Sequence, residues 1–415
     1  MASDLADPGL APQGRMRVEW AASRMPVLGA VRKQLSTDRP LHGLRVGACL
    51  HVTSETANLM LALADAGAEI SLCASNPLST QDDVAAALAA DGMEVMAIRG
   101  EDAERYHNHI VQVLRRRPHL LVDDGGDVIS SLHRDHHGIS PLGATEETTT
   151  GVNRLRAMAR EGALRIPVVA VNDSATKHLF DNYYGTGQST LDGIIRSTNL
   201  LVAGSTVVVV GYGQCGQGVA VRADGLGARV IVVEVDAVRA LRALMDGYRV
   251  LTAGQAAAEG DIFITVTGNR HVLAEEHLNL MKDGAILANA GHFDVEIDVK
   301  ALANLAVGRR TVRPNLEEFR MDDGRRLFLV AEGRLANLGA AEGHPADVMD
   351  LSFANQALAL RWLVENHGSL TSQVYVLPTE LDQMVARLKI EALGGRLEEL
   401  TGEQQEYMSG WRSGT

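Results

Sequence analysis

Residues Thr206-Val207-Val208-Val209-Val210-Gly211-Tyr212-Gly213-Gln214-Cys215-Gly216, followed by the apolar run Arg229 to Val233 and then Glu234, decide the fold. A β-branched run makes a strand, the glycines make a tight turn into a helix, and a second strand ends in an acid. This is the dinucleotide-binding fingerprint in its required context. Gly211 permits the turn, Gly213 lets backbone approach a pyrophosphate, and Gly216 lets the helix pack close to the strand. The phosphates then sit on the helix N-terminus. Glu234 lies where a carboxylate accepts hydrogen bonds from ribose hydroxyls and repels a 2′-phosphate, so NAD is expected over NADP. Roughly two hundred residues precede this motif, more than a whole domain's worth.

The chain has 415 residues, 46% of them apolar, which is the size of two domains with sizeable cores. Its formal net charge of -13 argues against a nucleic-acid partner, because such binders need clustered positive charge. Cys49, Cys73 and Cys215 sit in apolar or turn segments without metal-ligand spacing, which predicts buried thiols in a reducing compartment. With no apolar leader and no spanning run, a soluble cytoplasmic protein is expected.

Upstream of the fingerprint, an amphipathic helix around Trp20 to Leu35 is expected to end at Pro40. Strand-like and helix-like segments then alternate. Strands are read at Arg45 to Leu50, Glu69 to Cys73, Glu94 to Ile98, Leu120 to Asp124 and Pro167 to Asn172, with helices at Glu55 to Ala66 and Asp82 to Ala90. A mostly parallel α/β domain follows from that alternation. Polar clusters stand just past several strand ends: His51, Thr53 and Glu55; Ser79 and Thr80; Asp123, Asp124 and Asp127; Asn172 and Asp173. The carboxyl edge of a parallel sheet is where ligands bind, so these clusters should converge. Helix capping accounts for Ser54 or Thr80, but poorly for His51 and the paired aspartates. The second α/β unit has strands at Thr206 to Val210, Arg229 to Val233, Ile262 to Val266 and Ala285 to Ala288. An apolar helix runs from Asp347 through Trp362, and helices and a tail span Glu380 to Trp411.

Longer blocks join these pieces: Cys49-Leu50-His51-Val52-Thr53-Ser54-Glu55-Thr56, Ser79-Thr80-Gln81-Asp82, Asp123 to Asp127, Glu146 to Val152, Val171 to Lys177, the FDN from Phe180, the GHFDVEID from Gly291, Ala331 to Leu338, and the GHP ending at Pro345. With these blocks the chain strongly resembles the S-adenosylhomocysteine hydrolase family over nearly its whole length. The resemblance implies two Rossmann-like α/β domains with parallel sheets. A discontinuous substrate domain comprises residues 1–183 and 341–388, an NAD-binding domain 184–340, and a short C-terminal tail 389–415, with hinges near 180 and 340. It implies one tightly bound NAD per protomer, recycled within the turnover, an adenine nucleoside substrate, and a homotetramer or homodimer. Adenine is expected at Thr53, Glu55, His344, Met349 and Phe353, and the ribose at Glu147, Lys177 and Asp181. The nicotinamide side is expected at Thr148, Thr149, Thr150, Asn182, His292 and Asn337.

The family's chemistry explains these residue types. Oxidising the 3′ hydroxyl to a ketone makes the C4′ proton acidic, so that the 5′ substituent can leave; water then adds and the hydride returns. Lys177 is expected as base or relay at the 3′ hydroxyl, its pKa lowered by desolvation beside the positive nicotinamide. Asp181, four residues on, would orient it. Asp124 is the candidate for C4′ proton removal, with His51 as acid and base for the leaving group and the water. The bland reading of Lys177 and Asp181 is an exposed i,i+4 pair. His107, His109, His133, His136 and His137 are read as solvent-facing, and no metal is expected.

Some positions depart from the family pattern: Gln217 where Lys or Arg is expected, His271 for Asp, Thr186 for Cys, and an end at Thr415 without a longer tail. Three activities are compatible with these residues: the hydrolase; a relative that stops after elimination and yields a 4′,5′-unsaturated adenine nucleoside, with a hypoxanthine-accepting variant opposed by Glu55; and an inactive NAD-binding regulator.

Overall fold

The computed structural model describes residues 3–411. Two parallel-stranded sheets, each flanked by helices, form the frame. The first has seven strands: β1 (Arg45–Leu50), β2 (Glu69–Ala74), β3 (Glu94–Met96), β4 (Leu120–Asp123), β5 (Gly143–Glu146), β6 (Val168–Ala170) and, from far downstream, β15 (Val374–Tyr375). The second has eight: β7 (Thr206–Val210), β8 (Arg229–Val233), β9 (Arg249–Val250), β10 (Ile262–Thr265), β11 (Ile286–Asn289), β12 (Ala306–Arg313), β13 (Leu316–Met321) and β14 (Arg326–Val330).

The spatial orders are β15-β6-β5-β4-β1-β2-β3 and β12-β13-β14-β11-β10-β7-β8-β9. Both are doubly wound, and the strand order reverses between β1 and β4 in one and between β7 and β10 in the other. Such reversals open a crevice at the carboxyl ends of the strands. Register places the chemistry at that edge: Cys49 pairs with Asp123, and Asp123 with Glu146, so His51, Asp124 and Glu147 leave three neighbouring strands at one level.

The strands seen in sequence are present, with small shifts at their ends. Of those missed, β5, β9 and β15 are short and β12 and β13 carry no apolar run, whereas β14 does carry one, Leu327-Phe328-Leu329-Val330. β5 includes only Ala144 as an aliphatic residue, and β9 and β15 are two residues each. The expected parallel character of the second sheet holds except at one edge. There β13 runs antiparallel to β12 and β14, and charged pairs such as Arg309–Glu317 and Arg310–Glu318 line an edge that is half in water.

Instead of one helix around Trp20 to Leu35 there are two, Ala11–Ser23 and Pro26–Asp38. Pro26 lacks a donor and its ring pushes Met25 out of helical geometry, to φ -117 and ψ 59, so the break falls there. His109 and His133 are buried, not solvent-facing. His109 lies between Glu101 Oε2, at 2.6 Å, and Asp4 Oδ2, at 2.9 Å. His133 Nδ1 faces the Ile129 carbonyl, and its Nε2 accepts the Arg165 N–H. Two apparently polar helices therefore each hide a buried structural histidine.

The helix Ala346–Asn366 returns to the first sheet and buries Leu351, Phe353, Ala354, Leu358 and Leu360 in its core. One acid fastens it. Asp350 accepts the backbone N–H groups of Val27 and Leu28 at 3.2 and 2.7 Å and the Lys389 ammonium at 2.9 Å. It thereby caps Pro26–Asp38 and ties down the helix Thr379–Ala392. Asp350→Ala strands a cation and two donors in a dry site. Chemical denaturation should report a loss of about 3 kcal/mol. A loss below about 0.5 kcal/mol would show that water replaces the carboxylate there without cost.

Candidate active site

The carboxyl edges of both sheets open on one cavity of about 560 Å³. Of the residues singled out in sequence, His51, Thr53, Asp124, Glu147, Thr148, Thr149, Thr150, Lys177, Asp181, Asn182, Gly211, Gly213, Gln214, Cys215, Glu234, His292, Asn337, His344, Met349 and Phe353 line it. Two do not. Glu55 lies in the first turn of the helix Ser54–Asp65, where its Oε1 accepts the Ser54 hydroxyl, and burial raises its pKa. Gly216 faces the strand behind the turn.

The glycine turn has the shape a dinucleotide needs. Gly211 has φ +104, a conformation that favours glycine. A Cβ on Gly216 would lie 2.0 Å from the Gly211 carbonyl oxygen, so only hydrogen lets the helix Gln214–Gly225 approach β7. At Gly213 the nearest atom is 3.9 Å away, leaving room for a phosphate. That helix has no side-chain cap, so its first N–H groups are free for an anion. Glu234 ends β8 and is held by the N–H groups of Tyr212, Val235 and Asp236 at 2.7, 2.7 and 3.0 Å. Gln217 turns away from the cavity; its Nε2 donates to the Tyr212 carbonyl and braces the turn from behind.

Lys177 is the electrostatic centre. Its ammonium donates to Asn182 Oδ1 at 2.8 Å and lies 3.3 Å from Asp181 Oδ2 and 3.6 Å from Glu147 Oε1. All three ionisable side chains are almost inaccessible to water, so the exposed-pair reading fails. Burial opposes the Lys177 charge, but Asp181 and Glu147 outweigh it and the pKa is raised. The lowered value expected from sequence is thus corrected, because that reasoning weighed desolvation without two carboxyls at contact distance. Burial likewise opposes the Asp181 charge, yet Lys177 and His344 hold it well below the usual carboxylate range. Burial pushes Glu147 up to about 8 against the pull of Lys177. At neutral pH the cluster is one cation, one anion and one mostly protonated acid.

A second cluster faces it. His51 Nε2 lies 3.4 Å from Asp124 Oδ2, and His292 Nδ1 lies 3.6 Å from Asp124 Oδ1. His51 Nδ1 is held by Ser79 Oγ at 2.8 Å and Ser75 Oγ at 3.0 Å. The Ser79 hydroxyl gives its own proton to the Asn76 carbonyl at 2.9 Å, so toward Nδ1 it can only accept. The donor atoms of His51, Asp124 and His292 lie within 4.8 Å of one another, so these three residues can carry protons and could also ligate a metal. The neighbouring Asp123 turns inward instead. It accepts the N–H groups of Asp124 and Ile129, and burial pushes it up to about 7.

Several supporting residues escaped the sequence reading. Gln356 Nε2 donates to Glu147 Oε2 at 2.6 Å, and Ser352 Oγ donates to Asp181 Oδ2 at 2.8 Å. Both are polar positions inside an apolar helix, and that mismatch was the available signal. Glu296, inside the GHFDVEID block, accepts from Thr267 and Gly268 and fixes the turn after β10. Thr186 Oγ1 sits 3.5 Å from Cys215 Sγ and 3.4 Å from His344 Nε2 at the cavity wall. His271, half-exposed with φ 49, lies 3.6 Å from Asp298, outside the cavity.

Fold and cavity together define a dinucleotide-binding α/β protein with a second, acid-base half to its site. The profile of S-adenosyl-L-homocysteine hydrolase matches residues 3–141, and that of the enzyme's NAD binding domain matches 182–343. The adenosylhomocysteinase of Aquifex aeolicus is 56% identical over 418 residues, covering 100% of both chains. That of Thermococcus kodakarensis is 57% identical over 411 residues, covering 99% of this chain and 98% of its own. Among solved structures, a dipicolinate synthase chain from Bacillus halodurans aligns with a TM-score of 0.50 at 17% identity over 78% of this chain and 99% of its own, a likeness of fold. The chain belongs to the S-adenosyl-L-homocysteine hydrolase family, and its cofactor is NAD.

Burial lowers the His51 pKa to about 4 despite the pull of Asp124. The folded value is below the ordinary one of 6.5, so the folded protein binds fewer protons between those values and stability falls as pH falls through that window. Imidazole NMR resonances should show His51 neutral at pH 6, with a midpoint near 4. A midpoint near 6.5 would contradict the burial argument.

Proposed function

We propose that this protein hydrolyses S-adenosylhomocysteine to adenosine and homocysteine, with these side chains carrying the steps. The observation that carries the reading is the pairing, across one cavity beside the glycine turn, of the Lys177–Asp181–Glu147 cluster with the His51–Asp124–His292 cluster. A simple dehydrogenase has no use for the second cluster.

When bound, NAD supplies the hydride acceptor that makes the 3′ carbon a ketone and the hydride that restores it. Residues Thr148, Thr149, Thr150, Asn182, Gly211, Gly213, Gln214, Cys215, Gly216, Glu234 and Asn337 are assigned to holding it. Asn337 Oδ1 is buried without a protein partner among the described residues, as suits an acceptor facing a ligand. Lys177 is assigned to the 3′ oxygen. As Lys177 takes the 3′ hydroxyl proton it hands one of its own to the Asp181 carboxylate 3.3 Å away, with Asn182 fixing the ammonium. Asp124 takes the C4′ proton, now α to a carbonyl. His51, neutral and held by two serines, takes that proton over from Asp124, 3.4 Å away, and gives it to the departing sulfur, so the neutral imidazole is restored to deprotonate the incoming water. Thr53, His344, Met349 and Phe353 are assigned to the adenine end; Glu55 would need to rotate or act through Ser54.

The domain division proposed is 1–183 with 341–388 for substrate, 184–340 for NAD, and 389–415 as a tail for contacts with other copies; residues 1, 2 and 412–415 lie outside the described residues. Exposed Leu393, Leu397, Leu400, Tyr407, Met408 and Trp411 on that tail support a homo-oligomer. No helix among the described residues is long and apolar enough to cross a membrane, and the free thiols of Cys49, Cys73 and Cys215 support a cytoplasmic setting.

Incubation with S-adenosylhomocysteine should release homocysteine, detected by mass spectrometry. Lys177→Ala should fold and retain NAD but fail to develop the absorbance of reduced nicotinamide when adenosine is added, a loss of at least about 10²-fold in rate. Undiminished reduction would remove Lys177 from its assigned role.

A further inference from the structure

Arg154 has no part in the chemistry assigned above. It lies on the helix Thr149–Arg160, whose first turn carries the cavity threonines. Its Nη1 donates to the Gly125 carbonyl at 2.5 Å and to Asp127 Oδ1 at 2.7 Å, and its Nη2 donates to Ser130 Oγ at 3.0 Å. Asp127 is itself held by the Tyr106 hydroxyl at 2.9 Å, so the guanidinium is anchored from below. Its other contact belongs to the second sheet's body: Cζ stands 5.4 Å from the centre of the Phe293 ring.

Both contacts lead to His292. Gly125 has φ +105, and a Cβ there would lie 2.2 Å from His292 Nε2, so the Gly125 backbone is one wall against which that ring rests. Phe293 meets the same ring edge-on, with centroids 4.8 Å apart at 86°. One planar cation thus braces both flanks of His292 while holding the carbonyl next to Asp124. A guanidinium can do this because it donates in its plane and stacks through its face; an ammonium is a point charge and does one or the other.

We infer that Arg154 is a positioning residue that sets the Asp124–His292 pair by fastening the Gly125 carbonyl and the Phe293 ring together across the seam between the two sheets. The inference rests on the proposed function, in which Asp124 removes the C4′ proton. No hydrogen bond among the described residues joins Arg154 to Lys177, Asp181 or Glu147, so its effect is confined to one step. Oxidation at the 3′ carbon is spared, and proton removal at C4′ is slowed.

The test uses the NAD-loaded protein with Arg154→Lys, Phe293→Leu and the double substitution. Adenosine is added in deuterated water, and two signals are followed: the absorbance of reduced nicotinamide and deuterium uptake at C4′. Each single variant should reach about the wild-type extent of reduction, while C4′ exchange and kcat fall by about 10 to 100-fold with KM little changed. The double variant should be no worse than the more impaired single one, because both substitutions break one contact. Wild-type C4′ exchange in Arg154→Lys, equal losses of reduction and exchange, or multiplying losses in the double variant would each overturn the inference. If the wild-type protein neither reduces its cofactor nor exchanges C4′, the functional reading falls first and the inference falls with it.

Discussion

A buried ammonium between two carboxyls is the interaction on which the cavity depends. Taking Lys177 out of water is tolerable only because Asp181 and Glu147 lie within 3.6 Å, and each carboxyl is in turn held by the helix Ala346–Asn366 or the segment before it. Ser352 and His344 secure Asp181, and Gln356 secures Glu147. The charge balance of the site therefore requires chain from three places: the end of β5, the crossing at 177–182, and the returning helix. Removing Lys177 or Asp181 leaves the other charge buried and unmatched, which typically costs about 3–5 kcal/mol.

The second constraint is geometric. Two sheets with the same strand reversal present their carboxyl edges to one space, so the glycine turn after β7 and the acids after β4 and β5 serve a single ligand assembly. Close backbone packing sets the distance between the two bodies. A Cβ on Gly218 would lie 1.9 Å from the Tyr183 carbonyl oxygen, and one on Gly187 would lie 2.5 Å from the Gly218 carbonyl oxygen. Small residues at this junction let the helix after the glycine turn lean on the crossing segment that carries Lys177.

Much of this was legible in the chain. The alternation of β-branched runs with helical stretches, punctuated by glycine and polar strand ends, gives the α/β class and most strands, since local propensity and the buried pattern agree there. Nearly every site residue belongs to a block whose spacing is itself informative. The rest was hidden for identifiable reasons. β5 and β15 are too short for periodicity to register, and the break at Met25 depended on one proline inside an amphipathic pattern. His109 and His133 looked solvent-facing because one partner of each, Asp4 and the Arg165 N–H, lies elsewhere in sequence. Gln217 stands where Lys or Arg is expected, but its amide points into the turn.

The sequence by itself determined the strand–turn–helix that cradles a dinucleotide and the acid that ends β8, because both depend on residue type at fixed short spacing. It also determined which side chains are candidates for proton transfer. Only the tertiary structure decided their protonation. Lys177 is charged because Asp181, four residues on, and Glu147, from the end of β5, touch it, Glu147 is pushed up to about 8 because a helix two hundred residues later closes over it, and His51 is neutral because burial outweighs Asp124. Desolvation and contact charge are properties of the packed site, and no local pattern in the chain encodes their balance.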